Sequence, residues 1–308
     1  MKTYPSPLGD ICLGNINADF TSAVEKLNPS SILLLVDSNT IKYCVPLLDR
    51  FLDTKKVIVI PAGEQHKTIA SCEDVWKSFT SMEADRSSLL LNIGGGMICD
   101  LGGFAASCYQ RGIRFAHIPT SLLSMADATI GGKTGVNFEG YKNYLGRFEI
   151  PAFIWIDPAF INTLPEQEVK DGLAEIIKHA IIGSHTLWEM LSTFENISSI
   201  DWSLLLEENL PVKKRIVEAD PYESGLRKVL NFGHTIGHAL ESHFLTSPTP
   251  ISHGQAIMLG MLAESKIAHQ LGLLDDEDFQ AIIQLIPRLL GQVEVTLPPI
   301  EIIQHWIR

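Results

Sequence analysis

Three short apolar runs in the first hundred residues, Ile32-Leu-Leu-Leu-Val36, Val57-Ile-Val-Ile60 and Leu89-Leu-Leu-Asn-Ile93, constrain the fold most. Each lacks polar alternation and ends in turn residues, as strands buried on both faces of a parallel sheet do. Parallel neighbours need crossovers, and helical-length segments at roughly 40–52 and 67–82 lie between the runs. The pattern predicts βαβ units and a doubly wound α/β domain. Two more runs, Phe115-Ala-His-Ile118 and Phe153-Ile-Trp-Ile156, extend the sheet, and the Gly-rich span between them reads as a functional loop.

Beyond about residue 160 strand-like runs nearly vanish. Segments 165–182, 203–219, 226–245, 254–271 and 275–290 carry Leu, Ile, Ala, Glu and Lys at helical spacing. Pro158 and Pro165 bracket the change, so the expected domains are 1–159, α/β, and 160–308, all-helical. A chain of 308 residues that is 45% hydrophobic can bury two such cores.

Charge and cysteine usage narrow the class. A formal charge of −12 argues against a nucleic-acid surface, which needs clustered Lys and Arg. Five cysteines, Cys12, Cys44, Cys72, Cys99 and Cys108, form no C-x-x-C pair and are odd in number, which points to reduced thiols and a cytoplasmic setting. The first residues show no export signal, and no run of about 18 uncharged apolar residues suggests a membrane span.

Three stretches carry metal-binding residue types: Gly172-Leu-Ala-Glu175-Ile-Ile-Lys178, Asn231-Phe-Gly-His234-Thr-Ile-Gly-His238 and Ser252-His253-Gly254. On helices, Glu175 shares a face with Lys178 and His234 with His238. A Glu/His/His set leaves an open coordination position, as in a catalytic zinc site. Spacing alone pairs His234 with His238.

Gly94-Gly-Gly-Met-Ile-Cys-Asp100 follows a predicted strand and opens a predicted helix, the context in which backbone N–H groups approach a diphosphate. Read as G-x-G-x-x-G, it has Cys99 in the place of the third glycine. Pro61-Ala-Gly-Glu-Gln-His-Lys67 and Asp37-Ser-Asn39 also follow strands, where open α/β sheets bind ligands. Lys133 and Lys142 in the Gly-rich span, with Lys178, Lys213 and Arg227 near the metal stretches, suggest a multiply anionic small-molecule substrate.

The ordered set Gly94-Gly-Gly…Asp100, Tyr109-Gln-Arg111-Gly, Pro119-Thr-Ser-Leu-Leu123, Gly131-Gly-Lys133-Thr, Lys142-Asn143, Gly172 to Lys178, Glu223-Ser-Gly-Leu-Arg227, Asn231 to His238 and His253-Gly254 closely resembles the 3-dehydroquinate synthases. These are sugar phosphate cyclases, and the resemblance runs from about residue 30 to 272. It implies an NAD-binding α/β domain, a helical metal-binding domain and a homodimer. The implied reaction converts 3-deoxy-D-arabino-heptulosonate 7-phosphate to 3-dehydroquinate and phosphate, in the shikimate route to aromatic amino acids.

Carried over residue by residue, the resemblance puts the divalent metal, zinc or cobalt, on Glu175, His234 and His253, and turns His238 to the substrate. Lys133, Lys178, His238, Asp127 and Asn143 match catalytic positions. Lys142, Lys213, Arg227 and Asn231 match substrate-binding ones, and Arg111 an arginine reaching into the neighbouring subunit's site. Asp37, Glu64, Lys67, Gly95, Gly96, Asp100, Thr120 and Ser121, together with Lys133 and Lys142, match NAD-contacting positions.

Three departures from the family's pattern stand out. A thiol at Cys99 is expected to crowd the backbone near the diphosphate. Gln255 replaces the usual Glu after His253-Gly254, removing a charge beside the metal ligands. The sequence ends at Arg308, before the segment in which the family supplies a further lysine and a closing strand. Alternative readings are another sugar phosphate cyclase, a metal-dependent polyol dehydrogenase of the same fold, or an inactive NAD-binding relative.

Overall fold

The computed structural model describes residues 1–48, 56–244 and 247–307 and separates into two units, Met1–Leu164 and Pro165–Arg308. The division falls just before the helix that opens at Glu166, beyond the 159/160 boundary suggested by the change of texture. Residues 158–163 form a 3-10 turn, Pro158–Thr163, that belongs to the first unit.

In the first unit seven strands form one sheet: β1 (Lys2–Tyr4), β2 (Asp10–Leu13), β3 (Ile32–Asp37), β4 (Val57–Ile60), β5 (Leu89–Gly94), β6 (Arg114–Pro119) and β9 (Phe153–Ile156). Their order is β1-β2-β9-β6-β5-β3-β4, and every pairing but β1–β2 is parallel. Leu33 and Leu35, and their alternates Leu34 and Val36, are all essentially inaccessible, so β3 is buried on both faces, which explains its unbroken apolar run. The five expected strands are present. The short β1 and β2 lie outside those expectations, because Asp10-Ile-Cys-Leu13 is too brief to show a period.

On one face α3 (Ile69–Ser81) and α4 (Gly96–Cys108) bring Cys72, Val75, Phe79, Ile98, Leu101 and Ala105 against Leu33, Leu35 and Leu90. Helix α1 (Ile16–Leu27) carries Phe20, whose ring meets Trp155 of β9 edge-on at 5.5 Å. Sequential β3 and β4 are neighbours while β5 returns to the other side of β3, so the carboxyl ends of β3 and β5 flank a topological switch point. Of the segment expected to be helical at 40–52, Thr40–Tyr43 is α2 and Val45–Leu47 a 3-10 turn; residues 49–52 lie outside the described residues.

The Gly-rich span is a five-residue π-helical turn, Ser124–Ala128, followed by a hairpin of β7 (Lys133–Phe138) and β8 (Tyr141–Phe148). Glycine hides this hairpin from a propensity reading. The two backbones pass so closely that a Cβ at Gly135 would stand 2.8 Å from the Leu145 carbonyl oxygen.

The second unit is all helix among the described residues: α5 (Glu166–Gly183), α6 (His185–Thr193), α7 (Trp202–Ala219), α8 (His234–Phe244), α9 (His253–Gln270), α10 (Asp276–Leu290) and α11 (Ile300–Ile307). The segment expected as one helix over 226–245 is a 3-10 stretch, Leu226–Asn231, and then α8. The break is at Gly233, whose φ of 78° a right-handed helix excludes.

Candidate functional site

Glu175 lies in the middle of α5 and is 1% exposed. Its Oε1 is 3.3 Å from Nε2 of His234, at the start of α8, and 3.3 Å from Nε2 of His253, at the start of α9. The ligand atoms of Glu175, His234 and His253 all lie within 4.8 Å of one another. Lys178, one turn along α5, pairs its amino group with the other carboxylate oxygen of Glu175, so this buried anion has a cation beside it.

The far side of each histidine ring meets an acceptor oxygen. His234 Nδ1 is 3.1 Å from the carbonyl oxygen of Phe232, an acceptor that requires Nδ1 to donate, so the neutral ring keeps its lone pair on Nε2. His253 Nδ1 is 3.6 Å from Glu241 Oε2. Burial opposes a charge on His253, but Glu175 and Glu241 together hold its pKa up at about 10. A divalent cation would displace that proton. An anionic carboxylate and two imidazoles, with Nε2 turned inward, are a donor set suited to zinc or cobalt.

Glycine brings the three helices close enough. A Cβ at Gly254 would lie 2.7 Å from Asp171 Oδ1 on α5, and one at Gly260 would lie 2.8 Å from Gly237 N on α8. Polar contacts add direction: Glu264 of α9 accepts N–H groups of Gly233 at 2.8 Å and Ile236 at 3.2 Å, capping the positive end of α8 next to His234. Ser252 caps α9 and also donates to Asp171.

Gln255 completes this cap. Its Oε1 accepts from the Ser252 backbone N–H at 2.9 Å in a capping box, so this neutral side chain beside the metal ligands also fastens the helix that presents His253. His238 is solvent-exposed, with its ring 5.0 Å from that of His234 and 6.0 Å from that of His253. It shares the His234 face, as spacing predicts.

Lys213 on α7 and Arg227 are buried, and Asn231 donates to Glu223 at 3.2 Å. Asp220 accepts backbone N–H groups of Ser224, Gly225 and Arg227 at 2.7–3.0 Å, which holds its carboxyl far below the usual range and shapes the turn that delivers Arg227. Sequence reasoning missed Asp220, Glu264 and Asp171. Asp220-Pro-Tyr-Glu-Ser-Gly225 carries a turn signal that could have exposed the first; the other two act across helices and leave no local mark.

In the α/β unit the expected nucleotide residues gather at the carboxyl edge of the sheet. Gly95 caps α4 without any side-chain hydrogen bond, the first turn has no acidic residue, and a Cβ at Gly96 would meet only Ala128, at 3.5 Å. This open helix N-terminus suits a diphosphate. Thr120 donates its N–H to the Gly94 carbonyl, and Ser121 bonds Ser124. Lys67 is buried and reaches Asp100 and Asn143, Glu64 accepts from Asn137, and Asp37 accepts the N–H groups of Asn39 and Thr40.

Cys99 corrects an expectation. It is 1% exposed and its Sγ donates toward the Gly94 carbonyl at 3.6 Å, so it sits in the packing of α4 on β5 and not in the open loop. The third glycine of a dinucleotide loop serves helix–strand packing, and here a small thiol fills that role. Lys133 and Lys142 are exposed on the hairpin, and Asp127 lies half-buried in the π-helical turn. Arg111 is not brought to this edge: it precedes β6 at the opposite end of the sheet, with φ of 71° between Gln110 at 49° and Gly112 at 114°.

A parallel α/β unit with an open glycine loop, followed by a helical unit with a Glu/His/His set, is the dehydroquinate synthase-like fold. Solved structures agree. A 2-deoxy-scyllo-inosose synthase complexed with carbaglucose-6-phosphate, NAD+ and Co2+ superposes with a TM-score of 0.86 at 24% identity, over 99% of this chain and 86% of that one. A 2-epi-5-epi-valiolone synthase from Streptomyces hygroscopicus with NAD+ and Zn2+ bound gives 0.81 at 26% identity, over 100% and 87%.

The family models for the 3-dehydroquinate synthase N-terminal and C-terminal regions match residues 57–171 and 172–306. A 3-dehydroquinate synthase of Parabacteroides distasonis is 40% identical over 262 residues, 83% of this chain and 74% of the relative. The chain belongs to the 3-dehydroquinate synthase family.

Proposed function

We propose that this chain converts 3-deoxy-D-arabino-heptulosonate 7-phosphate to 3-dehydroquinate and phosphate. The observation that carries the reading is the convergence of Glu175 Oε1 with Nε2 of both His234 and His253. These three residues would hold the divalent metal, and Gly95, Gly96, Asp100, Lys67, Thr120, Ser121, Glu64 and Asp37 the nucleotide. When bound, NAD supplies reversible hydride acceptance and the metal supplies Lewis acidity at a carbinol oxygen.

Residues of the chain do the rest. Lys178 sets a cation against the buried Glu175 carboxylate, compensating the ligand's charge where water does not reach it. His238, exposed beside the two ligand histidines, is placed to pass a proton to or from a bound substrate. Lys133, Asp127 and Asn143 are the further catalytic candidates. Lys142, Lys213, Arg227 and Asn231 are assigned to the phosphate and carboxylate, for which charge-assisted hydrogen bonds from Lys and Arg are the strong option. A cytoplasmic homodimer in which Arg111 serves the partner subunit completes the proposal.

The experiment adds the heptulosonate phosphate with NAD+ and Zn2+ and follows phosphate and NADH together. Phosphate release without accumulating NADH is expected, since the nucleotide is regenerated. NADH accumulation on a polyol, with no phosphate released from the sugar phosphate, would instead establish a dehydrogenase of the same fold.

A further inference from the structure

We infer that Glu241 is a positioning residue for the metal centre: its carboxylate orients the His253 imidazole through Nδ1, so that Nε2 presents its lone pair beside Glu175. The inference rests on the metal reading above. On α8, His234, His238 and Glu241 recur at spacings of four and three, so Glu241 stands on the ligand face. Its Oε2 lies 3.6 Å from His253 Nδ1, and its side chain is 17% exposed.

The two histidine ligands are built alike. Each turns Nε2 to the same oxygen of Glu175 at 3.3 Å, and each turns Nδ1 to an acceptor oxygen: the Phe232 carbonyl for His234, Glu241 for His253. A metal-ligating histidine generally donates its other N–H to a carboxylate or carbonyl, which fixes the ring and raises its basicity. The 3.6 Å approach is longer than a closed hydrogen bond, so the attraction is between an N–H and a carboxylate across a short gap.

His238, Glu241 and His253 also place ligand atoms within 4.8 Å of one another and could be read as a second cation site. That reading needs both nitrogens of His253 stripped of protons to serve two metals. With one metal at Nε2, Nδ1 keeps its hydrogen and Glu241 accepts it, which is the simpler protonation state. The exposed His238 ring, 6.0 Å from that of His253, also leaves this second set looser than the first.

The test is metal affinity, measured on the full chain stripped with chelator and titrated with Zn2+ against a chromophoric competitor, with Co2+ spectra recorded in parallel. One metal per chain is expected throughout. Glu241→Ala should weaken Zn2+ binding roughly 10–100-fold, with its thermal unfolding still cooperative. Glu241→Gln should recover much of that loss, because an amide oxygen still accepts from Nδ1–H. Unchanged affinity in Glu241→Ala overturns the inference alone. Two metals per chain, one of them lost in Glu241→Gln, overturns it in favour of a second cation site. A wild-type chain that takes up no metal, or a Glu175→Ala variant that binds as the wild type does, overturns the metal reading and the inference with it.

Discussion

Lys67 Nζ lies 2.7 Å from Asp100 Oδ2, so a buried cation from the turn after β4 faces a carboxylate in the second turn of α4. Burial raises the Asp100 pKa, and Lys67 is the main influence holding it down. Lys67→Met should therefore destabilise the α/β unit by about 3 kcal/mol at neutral pH, the usual cost of stranding one partner of a buried pair. A carboxyl whose folded pKa exceeds its unfolded value costs stability above that unfolded value and nothing below it. The defect should thus shrink as pH falls toward about 4, and urea titrations at two pH values would show it. A pH-independent defect would mean that lost packing, not the stranded charge, is responsible.

Metal content separates the histidines. Glu175→Ala and His253→Ala should purify without the metal, whereas His238→Ala should retain it and lose turnover, as expected for an exposed ring beside the ligand pair. Elemental analysis of the purified variants decides this; equal metal loss in the His238 and His253 variants would refute the assignment.

Lys142 is exposed on β8, so Lys142→Ala should leave stability within about 0.5 kcal/mol of wild type. Binding of the heptulosonate phosphate should weaken by about 1.5–3 kcal/mol, the worth of a charge-assisted hydrogen bond. Calorimetry would measure both, and unaltered substrate affinity would remove Lys142 from the binding set.

Of the five cysteines, only Cys108 is exposed, while burial pushes Cys72 up to about 12 and Cys99 well above its ordinary value. Brief alkylation of the folded chain at neutral pH should modify one thiol, identified by peptide mapping as Cys108, and unfolding should release all five. Early labelling of Cys99 would show that the α4–β5 packing opens readily.

The α/β unit was legible where burial on both strand faces leaves an unbroken apolar run, as at Ile32–Asp37 and Leu89–Gly94. It was illegible where glycine allows two backbones to touch, since the β7–β8 hairpin owes its pairing to Gly135 and Gly146, residues that sequence reading counts against a strand. In the helical unit, spacing within one helix correctly put His234 and His238 on one face. It could not say that His253, from another helix, stands with His234 at Glu175, because that proximity comes from the α8–α9 crossing. The stretch around His253 was visible as a metal-binding candidate, but only resemblance chose His253 over His238 as the partner of His234. Glu241 and Glu264 were missed for the same reason.

That crossing also limits how this protein can be improved. Replacing a helical glycine by alanine is a common route to thermostability, with up to about 1 kcal/mol gained per site from helix propensity. Gly237, Gly254 and Gly260 all lie within helices, yet at each of them a methyl group would press on the backbone of the neighbouring helix. A designer guided by propensity alone would choose these positions first and push apart the helices that carry His234 and His253. Sites away from the crossing, such as the exposed face of α10, are the ones where sequence can change without cost to the metal centre.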